Sequence, residues 1–467
     1  MLDRVPEVAL LIADYLILED LSHLSLVNRA LHILCRPRLF KHVKLVVGDP
    51  WTRDPKELDT QYSRMEDNID SLNAASPGCL KLVKRLTVVG SNWTASEQGR
   101  TKLGSLMKKV KLEEIAFLHQ GGKAVEVMAL LFEPLWQILA AQTPSKLAVL
   151  GRPRPQQAWG VLIHPGVFPI SSMSLRSLTS ALPNNLSSVT FSGIELVVED
   201  DSILPSSFFR TLTSLELVEL YCQTLFKVAE SFQAFAADRS NAVLLRRLSL
   251  DLFSERETSS ASKWKITPDD LLEVLTAFGS APLLSLSVGS TGASADGAAS
   301  LFAIATPSGI PFLPAGPCYG ASEVKQLVDV ISSTFGALRS LALRINPRSE
   351  GWYENLTKED MIELVISLNQ LTSLRRFTTN ALLPTDAAVA TTATKQDDLV
   401  PLLEFTARFY LAQVPSLEAI SLVNLLEVPH EAFYTSKRDD EEEKVRRTWR
   451  LAARQKEGGE VEMLEVI

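Results

Sequence analysis

The chain has 467 residues, 46% of them apolar and 22% charged, with a formal net charge of −8. That balance describes a folded protein with a sizeable core and lacks the basic footprint of a nucleic-acid binder. No run approaches eighteen apolar residues, so no membrane-spanning helix is expected, and Asp3, Glu7 and Asp14 interrupt the N-terminus where a signal peptide would be apolar. Cys35, Cys79, Cys222 and Cys318 lie far apart without a C-x-x-C pair, the usage of a reducing compartment. The expected location is cytoplasmic or nuclear.

The first segment, 1–45, has the spacing of three short helices. Pro6 suits a first helical turn, and Val8, Ile12 and Leu16 recur every four residues on one face. Leu21, Leu24, Val27 and Leu31 follow, Asn28 is a good N-cap for the third helix, and Pro37 is expected to stop it. Leu39, Phe40 and Val43 close the unit. About forty residues bury too little apolar surface to stand alone, so a spare apolar face is expected. His42 to Val47 then reads as a short strand, and Gly48 to about Ala75 as a polar connection; 46–80 is read as a linker and first repeat cap.

From 81 to 430 one pattern dominates: an apolar residue at i, i+3 and i+5. Nine copies are visible, beginning with Val83, Leu86, Val88 and ending with Leu417, Ile420, Leu422. Between them come Leu112, Ile115, Phe117; Leu186, Val189, Phe191; Leu212, Leu215, Leu217; and Leu245, Leu248, Leu250. Leu283, Leu286, Val288; Leu338, Leu341, Leu343; and Leu374, Phe377, Thr379 complete the set. Alternation of the last two members predicts half-buried strands. A wide gap before Leu186 predicts a hidden copy around Leu147 to Leu150.

Helical stripes separate the strands. Leu225, Val228, Ala229, Phe232, Phe235 and Ala236 form one, and Thr267-Pro268-Asp269-Asp270 opens another with a cap, a proline and acids in its first turn. Ser322 precedes a stripe ending at Phe335, and Thr357 one containing Ile362, Val365 and Leu368. Ser254 to Ser262, Ser290 to Gly320 and Pro384 to Asp398 have the composition of loops. In 431–467 the acidic run Asp439 to Glu443 precedes several arginines, a pattern suited to a solvated helix. The expected fold is α/β: three helices, then strand–helix units stacked as an irregular solenoid, with a doubly wound sheet as the rival.

Val5-Pro6-Glu7-Val8, Ile12, Tyr15-Leu16, Asp20-Leu21, Leu24, Leu26-Val27-Asn28-Arg29 and Arg38-Leu39-Phe40 together resemble an F-box. The strand pattern that follows resembles divergent leucine-rich repeats, as in fungal F-box proteins; Phe40 stands where many members have Trp. The resemblance implies a substrate-recognition subunit of a Skp–cullin–F-box E3 ubiquitin ligase. Val5, Pro6, Val8, Ile12, Leu16, Leu21, Leu24, Val27 and Leu39 would then bind the Skp-type adaptor, and through it a cullin–RING ligase. Glu216, Arg247, Ser249, Asp251, Arg344, Arg376 and Asn380, on the open face of the repeats, would hold an unknown target protein. Recurring arginines in that phase point to an acidic or phosphorylated ligand.

Chemistry of the chain's own has little anchor. The six histidines are scattered, and neither H-E-x-x-H, G-x-S-x-G nor G-x-x-x-x-G-K-[ST] occurs. No catalytic residue, cofactor or metal is expected, nor a nucleic-acid or membrane partner. Two alternatives stand beside the ligase reading: a scaffold that binds the adaptor or another protein without ubiquitination, and an α/β enzyme with a deep polar pocket.

Overall fold

The computed structural model describes residues 18–45, 55–90, 97–119, 144–151, 168–171, 186–192, 194–197, 204–218, 222–251, 268–288, 321–343, 358–379, 396–425, 448–455 and 461–466. They form a mixed α/β protein divided into two compact units. One comprises Met1–Arg154, Pro165–Val189 and Leu196–Ser202; the other comprises Pro155–His164, Thr190–Glu195 and Ile203–Ile467.

The first unit opens with helices α1 (Leu18–Val27) and α2 (Arg29–Lys41), then strand β1 (His42–Leu45). Asn28 caps α2 as its sequence suggests: its Oδ1 accepts the Leu31 N–H at 2.9 Å. Pro37, expected to stop this helix, lies inside it. Pro37 and Ile33 are both exposed, so the Ile33 carbonyl that the proline leaves without a donor lies on the wet side of the helix, where water can serve it.

The polar connection read over Gly48 to Ala75 is corrected. Residues 55–74 form the 20-residue helix α3 (Pro55–Ala74), followed by the short α4 (Pro77–Leu80). Only Met65 and Ile69, one turn apart, are buried on α3 among its described side chains, too sparse a stripe to betray the helix. Its charges are not idle, because Lys102 Nζ on α5 (Glu97–Lys109) reaches Glu66 at 2.6 Å and Asp70 at 2.5 Å.

Strands β2 (Arg85–Gly90), β3 (Glu114–His119) and β4 (Lys146–Gly151) join β1 in a parallel sheet that follows chain order. Leu86, Ile115 and Leu147 face one another in register, so the hidden copy near Leu147 is real. Then come β5 (Phe168–Ser171), β6 (Ser188–Ser192) and β7 (Ile194–Val197).

The second unit continues through α6 (Ser206–Phe209), β8 (Ser214–Val218), α7 (Cys222–Ala237), β9 (Arg247–Asp251), α8 (Pro268–Ala277) and β10 (Ser285–Val288). It goes on through α9 (Ala321–Thr334), β11 (Ser340–Leu343), α10 (Lys358–Asn369), β12 (Arg376–Thr379), α11 (Gln396–Gln413) and β13 (Ala419–Leu425). Strands β8 to β13 are parallel and in sequential order, with no reversal of the kind a doubly wound sheet requires. Leu215, Leu248, Leu286, Leu341, Phe377 and Ile420 form one buried row across them, none more than 2% exposed.

Each strand is tied to the next just before it begins. The Arg246 carbonyl accepts both the Leu284 and Ser285 N–H groups, at 2.8 and 3.0 Å. The Leu284 carbonyl takes Arg339 and Ser340, the Arg339 carbonyl takes Arg375 and Arg376, and the Arg375 carbonyl takes Glu418 and Ala419, all within 3.0 Å. In the first unit the Lys84 and Glu113 carbonyls do the same for Glu113–Glu114 and Ser145–Lys146.

Three further expectations change. Residues 396–398, read as the end of a loop, open α11, while Ser254 to Ser262, Ser290 to Gly320 and Pro384 to Lys395 lie outside the described residues. Ile362, read into the buried stripe of α10, is 46% exposed; Met361, Leu364, Val365 and Leu368 are buried instead. The charged tail expected to be helical contains strands β14 (Thr448–Gln455) and β15 (Val461–Val466), which extend β13 antiparallel. Ala453, opposite Ile420, is buried, and the ladder to β13 runs from Thr448 to Arg454, so pairing with a neighbouring strand, not the run of charges, decides the structure here.

Helix α7 is joined to α6 and to the end of α8 by an aromatic cluster. Phe232 lies 4.7 Å from Phe278 and 5.5 Å from Phe209 between ring centroids, and all three are buried. Replacing Phe232 with Ala removes the shared ring and should destabilise the second unit by about 3–5 kcal/mol. Urea denaturation read by tryptophan fluorescence and circular dichroism checks it.

Candidate functional surfaces

The opening helices form a hairpin with an inside and an outside. Leu21 and Cys35, 2% and 0% exposed, make its core, and Leu24, Leu34 and Leu39 pack against them. The outside carries Leu26 at 78%, Val27 at 68% and Ile33 at 61% exposure, large apolar groups left in water. Of the residues expected to meet an adaptor, Val27 is exposed, Leu24 and Leu39 are half-buried, and Leu21 is occupied in the hairpin's own core. Val5, Pro6, Val8, Ile12 and Leu16 lie outside the described residues. Sequence reading passed over Leu26 and Ile33 as contact residues, because periodicity finds an apolar face without telling whether the hairpin or a partner covers it.

In the second unit, the sheet face opposite the leucine row is lined mostly by Ser and Thr. Glu216, Ser249, Ser287, Ala342, Thr378 and Ser421 fall in one row, each directly opposite the next across the parallel pairs. All are half-buried. The expected target residues are distributed over this face: Glu216 faces Ser249, while Arg247 and Arg376 are exposed in the preceding row on β9 and β12. Asp251 ends β9, and Arg344 and Asn380 lie outside the described residues.

Glu216 has a particular environment. Burial raises its carboxyl above the usual carboxylate pKa, and the hydrogen bond donated by Thr190 Oγ1 to its Oε2 at 2.9 Å opposes that shift. Among the described residues no group of three or more His, Cys, Asp or Glu is placed to hold a metal ion. No described helix is long and apolar enough to cross a membrane. No protein-family model matches the chain, and no curated protein matches it in sequence.

The raised pKa of Glu216 makes a pH-dependent prediction. Above the usual carboxylate pKa the unfolded state holds Glu216 ionised, and folding must either bury that charge or take up a proton, each of which costs stability. Below that pKa it is neutral in both states. A Glu216→Gln variant should therefore be more stable than wild type at neutral pH, and the advantage should fade as pH falls through the carboxylate range. Denaturation midpoints of both proteins across that range measure it.

Proposed function

We propose that this chain is the substrate-recognition subunit of a Skp–cullin–F-box ubiquitin ligase, with an F-box at its N-terminus and a leucine-rich-repeat solenoid behind it. The observation that carries the reading is the hairpin α1–α2, closed inside by Leu21 and Cys35 yet presenting Leu26, Val27 and Ile33 to solvent. Beyond it, parallel strands succeed one another in chain order with helices between several of them, the arrangement by which repeats bury a core through their neighbours. An exposed apolar group on a small helical unit gains most by docking against another apolar surface, and the Skp-type adaptor supplies one.

In this reading the repeats hold a target and the adaptor brings the cullin and a ubiquitin-charged E2 beside it. The chain contributes proximity: tethering raises the effective concentration of the charged E2 at the target's lysines. Its own side chains carry out no bond-making step.

A pulldown with the Skp-type adaptor tests the proposal. Wild type should capture the adaptor, and Leu26→Asp with Val27→Asp should lose it while the circular dichroism stays unchanged, because both positions are exposed. Adaptor captured without cullin would favour the scaffold. Failure of the wild type to capture adaptor would overturn both the hairpin's assignment and the ligase reading.

A further inference from the structure

We propose that the edge of the second unit where its parallel strands begin binds an extended, Asp/Glu-rich polypeptide segment through a row of arginines. The observation is a difference between two sets of positions to which the carbonyl ladder gives the same place in each unit. In the first unit, two pairs of strand-start residues neutralise each other across neighbouring strands. Lys84 Nζ meets Glu113 Oε1 at 3.1 Å, and Arg85 Nε meets Glu114 Oε2 at 3.0 Å.

In the second unit the corresponding positions are strongly basic. The ladder carries Arg246, Arg339 and Arg375, and the row just inside it carries Arg247, Arg376 and Arg454. Two acids share those rows among the described residues against six arginines: Glu418 lies 3.5 Å from Arg375, and Glu462 on β15, opposite Arg454, lies 4.0 Å from it. All six arginines are exposed. They stand out against a net charge of −8 for the whole chain.

Two of the guanidinium groups are already oriented by the fold. Arg246 Nη1 donates to the Pro282 carbonyl at 3.3 Å, and Arg375 Nη1 donates to the Ser416 carbonyl at 3.1 Å. A guanidinium has five N–H donors, so each keeps donors for an oxyanion after this bond. The spacing suits a peptide crossing the strand starts. Arg247 on β9 and Arg376 on β12 are separated by β10 and β11, hence by about 14 Å at the usual inter-strand distance. An extended chain covers about 14 Å between residues i and i+4, which point to the same side. The intervening Ser285 and Ser340 are small, leaving the path between the two arginines low.

The predicted ligand is therefore an extended peptide with acids at i and i+4. A long nucleic acid fits less well, because the chain's net negative charge repels a polyanion beyond this edge. The proposal deepens the receptor reading by naming the chemistry of the target, and it rests on that reading only for its biological purpose. The assay needs no adaptor, so failure of adaptor capture and failure of peptide binding remain separate results.

The test is fluorescence anisotropy of the full chain with a labelled peptide of about ten residues, Gly/Ser-rich, with Glu at i and i+4. Its counterparts are the same peptide with Gln at both positions, and a single-stranded oligonucleotide of similar length. The Glu peptide should bind at low salt and weaken as salt rises, and the Gln peptide should not bind. Arg247→Glu with Arg376→Glu should weaken binding about tenfold, the scale of two exposed ion pairs lost and reversed. Arg339→Glu should weaken it less, and Arg210→Glu, an exposed arginine at the end of α6, should leave it unchanged. Thermal unfolding of each variant should match wild type, since the replaced side chains are exposed. No binding of the Glu peptide, equal binding by the double variant, or an oligonucleotide that binds more tightly than the peptide would overturn the proposal.

Discussion

The doubly accepting carbonyl ahead of each strand is the constraint on which the second unit depends. One carbonyl receives two N–H groups from the following strand start, so every strand begins level with its predecessor. Level starts place Leu215, Leu248, Leu286, Leu341, Phe377 and Ile420 opposite one another. A one-residue slip would carry the whole apolar set to the wet face. Because the ladder fixes only the starts, the chain between one strand and the next can be short or long without disturbing the row. That is how unevenly spaced repeats in the sequence form evenly registered strands in the fold.

This division of labour explains what the sequence discloses. The apolar pattern at i, i+3 and i+5 is legible because it reports the row that the ladder aligns, and all nine copies are strands. The tenth was hard to see because Pro144 stands, buried, where the pattern has its first apolar residue, leaving Leu147 and its neighbours as a short run. Helix α3 stayed hidden for the opposite reason: its fold-determining information is two residues, Met65 and Ile69, among charges that reach α5 instead of water alone. In the tail, a pattern of acids before bases suggested a helix, whereas the strand there is set by pairing with β13, which no local pattern reports. Local charge pairing favours a helix weakly, by about 0.2–0.5 kcal/mol per pair, and pairing with β13 overrides a preference of that size.

The two candidate surfaces were legible to different depths. Val27 was visible as an apolar hairpin residue, yet Leu21, in the same stripe, is the hairpin's own core; a stripe has one periodicity whether it closes internally or meets a partner. Arg247 and Arg376 could be placed on the open face by strand phase alone. Arg246, Arg339 and Arg375 could not, because they precede their strands and are brought together by backbone hydrogen bonds between segments distant in sequence.

That last point bears on what the strand starts are for. The ladder uses only main-chain atoms, so the fold does not dictate which side chains sit there. The positions are occupied by Lys84, Glu113 and Ser145 in one unit and by Thr213, Arg246, Leu284, Arg339, Arg375 and Glu418 in the other. A set of positions that accepts lysine, glutamate, serine, leucine and arginine is indifferent to side-chain chemistry as far as folding goes. Ion pairs neutralise Lys84 and Arg85 in one unit and engage Arg375 and Arg454 in the other, where six arginines stand against two acids, an excess that nothing in the register requires. Like charges on neighbouring strands repel and weaken the sheet slightly. Arginines concentrated at positions the backbone leaves open, against that repulsion, are accounted for by an anion that approaches from outside.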